Sequence, residues 1–171
     1  SILDFKDRTT CVLFGDGASA AIVSKSDDSG VGILHTDTGA DGGTPELLHQ
    51  PAGGSAIPPC IDSINNRLHF LKMNGKEIFK KAVRVMGQSC VKSLEACNLT
   101  AADIDLVIPH QANMRIIESL AKRLEIPLDK FHNNLDPYGN TSAASIRIAL
   151  HEAINANRIK KGDRILLVTY G

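Results

Sequence analysis

The stretch DLVIPHQANMRIIESLAKRL, residues 105–124, changes its hydrophobic period in the middle, and that change decides the fold class. Leu106-Val107-Ile108 is a short, unbroken apolar run ending at Pro109, which suits a strand buried on both faces. From about Asn113 the pattern becomes helical. Met114, Ile117, Leu120, Ala121 and Leu124 recur at three- and four-residue spacing, while Arg115, Glu118, Lys122 and Arg123 fall mostly on the outward side. Pro127 closes the unit. A buried strand feeding an amphipathic helix is the building block of α/β folds.

Working outward, Lys130 to Leu135 reads as a short extended piece and Asp136-Pro137-Tyr138-Gly139-Asn140 as a loop. Thr141 or Ser142 is placed to cap a helix carrying Ser145, Ile146, Ile148, Ala149, Ala153 and Ile154. Gly162-Asp163 then turns the chain into a last strand, Arg164 to Tyr170. Upstream, Asn74 or Gly75 opens a long helix to about Ala96, with Phe79, Ala82, Val83, Met86 and Cys90 on one face. Lys76, Lys80 and Arg84 stand four apart beside that face, either as a solvated surface or as a stripe for an anionic partner.

Near the start, Cys11–Phe14 and Ala18–Ser24 suit strands, and Gly15-Asp16-Gly17 is turn chemistry, so a hairpin is expected. A phosphate-binding glycine loop would need a helix directly after the first strand, where β-branched Ile22 and Val23 stand instead. A further strand is expected at Val31–Thr36. Residues 38–66 gather glycines and prolines into a long internal loop, a length typical of lids and mobile segments. The expectation is one α/β domain over residues 1–171, a mixed five-stranded sheet covered by helices.

Composition bounds the function classes. At 171 residues one domain can bury roughly 70% of its unfolded surface. Lys+Arg and Asp+Glu both number 19, so no bulk field points to nucleic acid or membrane, although a local basic patch is compatible with zero net charge. Four cysteines without Cys-x-x-Cys spacing, and no apolar leader, point to a reducing, cytoplasmic setting. No histidine pair has a metal-ligand spacing, so no metal site is expected.

Two polar segments fall where a strand or loop feeds a helix, the usual place for ligand sites in open α/β folds. They are Pro109-His110-Gln111-Ala112-Asn113 and Tyr138-Gly139-Asn140-Thr141-Ser142, each with a small residue that permits close backbone approach. Taken alone, His110 is as well explained by capping the next helix as by catalysis. Asn140 alone is a helix cap or turn residue.

Together, LVIPHQANMRIIESLAKRL, YGNTSAASIRIAL and RTTCVLFGDGASAAIV resemble three signatures of the ketoacyl-acyl-carrier-protein synthase III family, in that family's order. MNGKEIFKKAV resembles a fourth, and the similarity runs from about Arg8 to Gly171. The resemblance implies the C-terminal half of a thiolase-like fold, whose full form stacks five alternating layers from two similar halves. It implies decarboxylative Claisen condensation of acyl-CoA, acetyl-CoA in particular, with malonyl-acyl carrier protein to initiate fatty acid synthesis. The nucleophilic cysteine lies in the absent N-terminal half, so none of the four cysteines here inherits that role and this chain alone is expected to be inactive in condensation.

By the same resemblance His110 and Asn140 are the catalytic pair, stabilising the enolate left when the malonyl group loses carbon dioxide. Gly75, Phe79, Ala82 and Asn113 line the pantetheine tunnel; Lys76 departs from an asparagine common at the coenzyme A wall but is suited to phosphate. Arg115, Lys80 and Arg84 face the acidic carrier protein, and Tyr170-Gly171 begin a glycine-rich segment whose amides help form an oxyanion hole. The implied partners are acyl-CoA, acyl carrier protein, the missing N-terminal half and a second copy in a homodimer. Coenzyme A thioester is substrate, and no cofactor is implied. Two rivals stay open: a starter condensing enzyme of a polyketide, quinolone or hydrocarbon pathway, and a non-catalytic half-domain that binds a carrier protein.

Overall fold

The computed structural model describes residues 2–28 and 30–171. They form two compact units, one built from residues up to Phe14 with Gly39–Lys81, the other from Gly15–Thr38 with Ala82–Gly171.

In the first unit β1 (Leu48–His49) pairs antiparallel with β2 (Lys72–Met73), with Leu48 opposite Met73. A single helical turn and a half, α1 (Ile61–Asn65), starts on Cys60, which accepts the Ser63 N–H while the Ser63 hydroxyl oxygen accepts the Cys60 N–H. The stretch expected as one long loop is therefore interrupted by β1, α1 and a 3-10 turn at Pro45–Leu47. Asp4 is buried and held by Arg67, whose Nε lies 2.7 Å from Oδ2. The Arg67 hydrogen bond brings the Asp4 carboxyl down to about 2. Arg67 also lies over the Phe70 ring, 4.8 Å from its centroid.

The long helix α2 (Gly75–Ala96) has the bounds expected from periodicity; it begins in the first unit and continues through the second. Its inward face there carries Ala82, Met86, Gly87, Cys90 and Leu94. At Gly87 a Cβ would come within 2.4 Å of the Arg123 side chain, so the bare backbone lets Arg123 lie across the helix.

The second unit is organised by β3 (Leu106–Pro109), which pairs parallel with β4 (Ile165–Val168), Leu106 opposite Ile165 and Pro109 opposite Val168. All four β3 residues are buried, as a parallel strand covered on both faces requires. From β3 the chain runs through α3 (Met114–Leu124), one turn of helix α4 (Leu135–Tyr138) and α5 (Ser145–Asn155) before returning as β4. Ile116, Ile117, Leu120, Ala121 and Leu124 are the buried face of α3. Small residues Ala149 and Ala153 let α5 settle onto Leu106 and Ile108, with Ile146, Leu150, Ile159 and Ile165 around them.

The sheet expectation needs correction. Among the described residues there are two separate two-stranded sheets rather than a mixed five-stranded one. The hairpin over Cys11–Ser24 and the strand at Val31–Thr36 do not form. Ile22, Val23, Ile33 and Leu34 have the propensity, yet their side chains are exposed, Ile22 by 99%, and no neighbouring strand pairs their backbone. Instead, parts of this segment lean on α2: Asp37 accepts from Ser89 (2.8 Å) and pairs with Lys92, while His35 Nδ1 meets Ser93 Oγ at 3.2 Å. No helix among the described residues is long and apolar enough to cross a membrane.

Because Ala149 and Ala153 set how closely α5 approaches β3, Ala149→Leu in a protein carrying this sequence is expected to cost about 1–3 kcal/mol by overpacking. A shift of the denaturant midpoint to lower concentration at unchanged slope is the measurement that checks it.

Candidate active site

Residue His110 directly follows β3, and its N–H donates to the Val168 carbonyl at 2.8 Å, extending the β3–β4 pairing by one step. The imidazole is thus delivered by backbone ladder geometry. Helix capping falls to Asn113, whose Oδ1 accepts the Arg115 N–H at 2.9 Å, so His110 does not cap α3.

The ring is aimed by α5. His110 Nδ1 lies 2.7 Å from Ser145 Oγ, and Ser145 is 1% exposed. Ser145 Oγ also receives the Gln111 N–H at 3.4 Å. With its oxygen accepting there, the buried hydroxyl proton needs an acceptor, and Nδ1 is the one within reach. That assignment makes Nδ1 the acceptor and puts the imidazole proton on Nε2. Burial lowers the His110 pKa below its ordinary value, so the ring stays neutral with a single N–H.

Asn140 is set by a different device. Gly139 has φ 64° and ψ −159°, a region essentially closed to residues with a Cβ, and Ser142 takes a left-handed φ of 51°. Between them Asn140 is 8% exposed, and its Oδ1 accepts the Ser142 N–H at 2.9 Å. Since that partner is a donor, the oxygen must face it, and the amide NH₂ is left over. Asn140 Nδ2 makes no hydrogen bond to another described residue, and the His110 and Asn140 side chains do not bond each other. The unit therefore presents two neutral, unspent donors, one from a strand end and one from a glycine turn.

Three supporting residues escaped the sequence reading. Ser145 lay hidden in a run of small residues, Ser142-Ala143-Ala144-Ser145, with nothing local to mark it as the imidazole's partner. Gln111 is completely buried: its Nε2 donates to the carbonyls of Pro109 (2.8 Å) and His132 (3.1 Å), and its Oε1 accepts the Asn134 N–H (3.0 Å). Gly15, expected in a hairpin turn, packs instead against the Asn140 loop. Its N–H donates to the Asn140 carbonyl at 3.0 Å, and a Cβ there would lie 2.0 Å from the Tyr138 carbonyl oxygen. A Cβ on Gly17 would similarly meet Thr141 at 3.0 Å. These glycines serve close approach rather than a positive φ.

The other candidates separate by unit. Gly75 and Lys76 are exposed at the start of α2 in the first unit, with Phe79 half-buried and exposed Lys80 paired to Glu77 at 2.8 Å. In the second unit Ala82 is buried, Arg84 reaches Gln88 at 3.4 Å, and Arg115 is exposed on the first turn of α3. Tyr170 is half-buried and Gly171 exposed. Burial pushes the Cys90 thiol up to about 12, which leaves it inert as a nucleophile. No three His, Cys, Asp or Glu side chains among the described residues converge as a metal site.

Two family models match the chain. Residues 94–171 match the 3-oxoacyl-(acyl-carrier-protein) synthase III C-terminal model, and residues 1–42 match the 3-oxoacyl-(acyl-carrier-protein) synthase III model. A relative from Caldanaerobacter subterraneus subsp. tengcongensis, named beta-ketoacyl-acyl-carrier-protein synthase III, is 54% identical over 99% of this chain and 51% of its own length. The chain belongs to the 3-oxoacyl-acyl-carrier-protein synthase III family.

The fold is that of the solved synthase III structures. The Aquifex aeolicus VF5 enzyme superposes with a TM-score of 0.87 at 45% identity, covering 99% of this chain and 50% of that one. The priming beta-ketosynthase of the R1128 polyketide biosynthetic pathway gives 0.79 at 33% identity, covering 99% and 49%. The chain spans about half the length of the curated synthase III relatives it matches.

A depressed histidine pKa means the folded state binds that proton less readily than the unfolded chain. Its contribution to stability is full above the unfolded imidazole pKa of about 6.5 and is lost as pH falls through that value towards the lower folded pKa. In nitrogen NMR the His110 ring should titrate below an exposed histidine and hold the Nε2–H tautomer at pH 7. Ser145→Ala should mix the tautomers; an unchanged Nε2–H signal in that variant would refute the Ser145 assignment.

Proposed function

We propose that this chain supplies the enolate-stabilising side of the active site in a beta-ketoacyl-acyl-carrier-protein synthase III. In that reading acyl-CoA, acetyl-CoA in the first instance, is condensed with malonyl-acyl carrier protein to begin fatty acid synthesis. The observation that carries it is the pair of unspent neutral donors, His110 Nε2–H and Asn140 Nδ2–H₂. Loss of carbon dioxide from a malonyl thioester leaves its electron pair delocalised onto the thioester oxygen as an enolate. Preorganised donors aimed at such an oxygen lower the barrier by about 3 kcal/mol each. Neither group needs to gain or lose a proton in that role. The enolate carbon then attacks the acyl group on a cysteine thioester, forming the new carbon–carbon bond and expelling the thiolate.

The nucleophilic cysteine and the other half of the site come, in this proposal, from the remainder of a longer protein. The half-length match to relatives supports that assignment, as do the exposed apolar side chains of Ile22, Val23, Ile33 and Leu34. An apolar group of that kind is better explained by a covering surface than by water. It weighs against a free-standing carrier-binding module. Gly75, Phe79, Ala82 and Asn113 are proposed along the pantetheine path, Lys76 towards phosphate, and Lys80, Arg84 and Arg115 towards an acidic carrier protein. The likeness to the R1128 priming enzyme supports a second reading, in which the same chemistry primes a polyketide. Acyl-CoA preference of the whole enzyme distinguishes the two.

In the full-length enzyme, His110→Ala and Asn140→Ala should each reduce malonyl decarboxylation by at least about 100-fold while acylation of the cysteine persists. Decarboxylation at wild-type rate in both variants would disprove the assignment. Carrier-protein affinity should fall as salt rises from about 0.05 to 0.5 M if Lys80, Arg84 and Arg115 face it; salt-insensitive binding would contradict that surface.

A further inference from the structure

A cluster of polar side chains lies between the two donor segments, and its centre is Glu152. This carboxylate sits on α5 seven residues after Ser145, two helical turns along, on the same side of the helix. Its Oε1 accepts the Tyr138 hydroxyl at 2.6 Å, and its Oε2 accepts the Asn134 side-chain amide at 2.6 Å. Those partners bracket α4: Asn134 precedes its first residue and Tyr138 is its last, immediately before Gly139 and Asn140. Glu152 thus clamps both ends of the single turn from which the Asn140 loop springs.

The clamp is connected to the histidine side as well. Asn134 gives its backbone N–H to Gln111 Oε1, and Gln111 is the residue after His110. Glu152 therefore joins, through Asn134 and Gln111 on one path and Tyr138 on the other, the segments that carry the two donors. His132 completes the surround. Arg158, which can only donate, meets His132 Nδ1 at 3.4 Å, so the ring proton falls on Nε2, which faces Glu152 Oε2 at 3.7 Å. That separation is longer than a hydrogen bond, so the neutral ring only turns its N–H dipole towards the carboxylate, and His132 Nε2 is buried without a hydrogen-bond partner. Burial acts to raise the Glu152 pKa, but the hydrogen bonds from Tyr138 and Asn134, with His132 nearby, outweigh it and keep the carboxylate ionised.

We infer that Glu152 is a positioning residue for Asn140: by holding Tyr138 and Asn134 it sets where the Asn140 amide points, without itself touching substrate. The inference rests on the proposed role of Asn140 in enolate stabilisation. A one-turn helix has little stability of its own, so its orientation is owed to such tethers. A misplaced donor loses its effect on the transition state even when the fold survives.

The test uses the full-length enzyme with variants Glu152→Ala, Glu152→Gln, Tyr138→Phe and Asn140→Ala, measuring malonyl-thioester decarboxylation, cysteine acylation and thermal midpoint for each. Glu152→Ala should lower kcat for decarboxylation by about 10-fold or more with acylation within about 2-fold. Tyr138→Phe, which removes a hydroxyl without disturbing packing, should fall in the same direction, and the Ala/Phe double variant should be no worse than Glu152→Ala alone. Glu152→Gln should recover most activity, because its carbonyl accepts from Asn134 and its NH₂ can donate to the Tyr138 oxygen. If Asn140→Ala abolishes decarboxylation but Glu152→Ala and Tyr138→Phe do not, the positioning role is overturned and the enolate reading stands. Equal loss of acylation and decarboxylation in Glu152→Ala, tracking a lowered midpoint, also overturns it, as a merely structural effect. If Asn140→Ala itself decarboxylates normally, the underlying reading falls instead.

Discussion

The buried amide of Gln111 is the constraint on which the second unit's chemistry depends. On one side β3 has a regular partner in β4, but on the other its backbone pairing among the described residues is confined to the bridge between Val107 and Phe131, with the His132 N–H bound to the Val107 carbonyl at 2.9 Å. Beyond that point ladder pairing stops, and buried backbone groups would be left without partners. Gln111 takes over as a side-chain continuation of the sheet, satisfying Pro109, His132 and Asn134 together. An apolar residue there would orphan all three, each at a cost of about 1–3 kcal/mol. The same bonds hold the backbone beside His110, so the stability of the strand end and the aim of the imidazole are one property.

Electrostatically the site is built from groups that do not change charge. Burial keeps His110 neutral, and Asn140 has no titration. Charge is present close by, on Glu152 and Arg158, but it is spent on tethers: Glu152 on Tyr138 and Asn134, and Arg158 on the carbonyls of Asp129 and Phe131. His132 shows the same economy. Burial first, and then the neighbouring Arg158, lower its pKa, so it remains a neutral ring beside the carboxylate. Donors that enter the reaction already in their working protonation state need no reorganisation as negative charge develops.

Legibility tracked how local each determinant was. The helix over 75–96, the buried strand at 106–109 and the start of α3 at Asn113 follow from periodicity, a proline and a cap, all encoded within a few residues. The opening hairpin failed for the opposite reason. β-Branched residues make a strand possible, but pairing needs a partner at the right register, and the described residues supply none to Ile22 or Ile33. Thr141 and Ser142 were plausible caps, yet a 3-10 turn at Ser142–Ala144 runs straight into α5 with no side-chain cap. Gly15 and Gly17 were visible as glycines, but their purpose, making room for Tyr138 and Thr141 more than a hundred residues away, is written only in three dimensions.

What the amino-acid sequence determined by itself was the family, the order of the three long helices around a buried strand, and His110 and Asn140 as the candidate pair. Motifs and periodicities are properties of neighbouring residues, so they survive without a structure. Tertiary structure decided everything that depends on two distant segments meeting: Ser145 assigning the imidazole tautomer, Gln111 finishing the sheet, Gly15 bracing the Asn140 loop and Glu152 clamping α4. A hydrogen bond acts over about 3 Å and is indifferent to separation along the chain. The partners that orient a donor therefore leave no mark in the residues beside it.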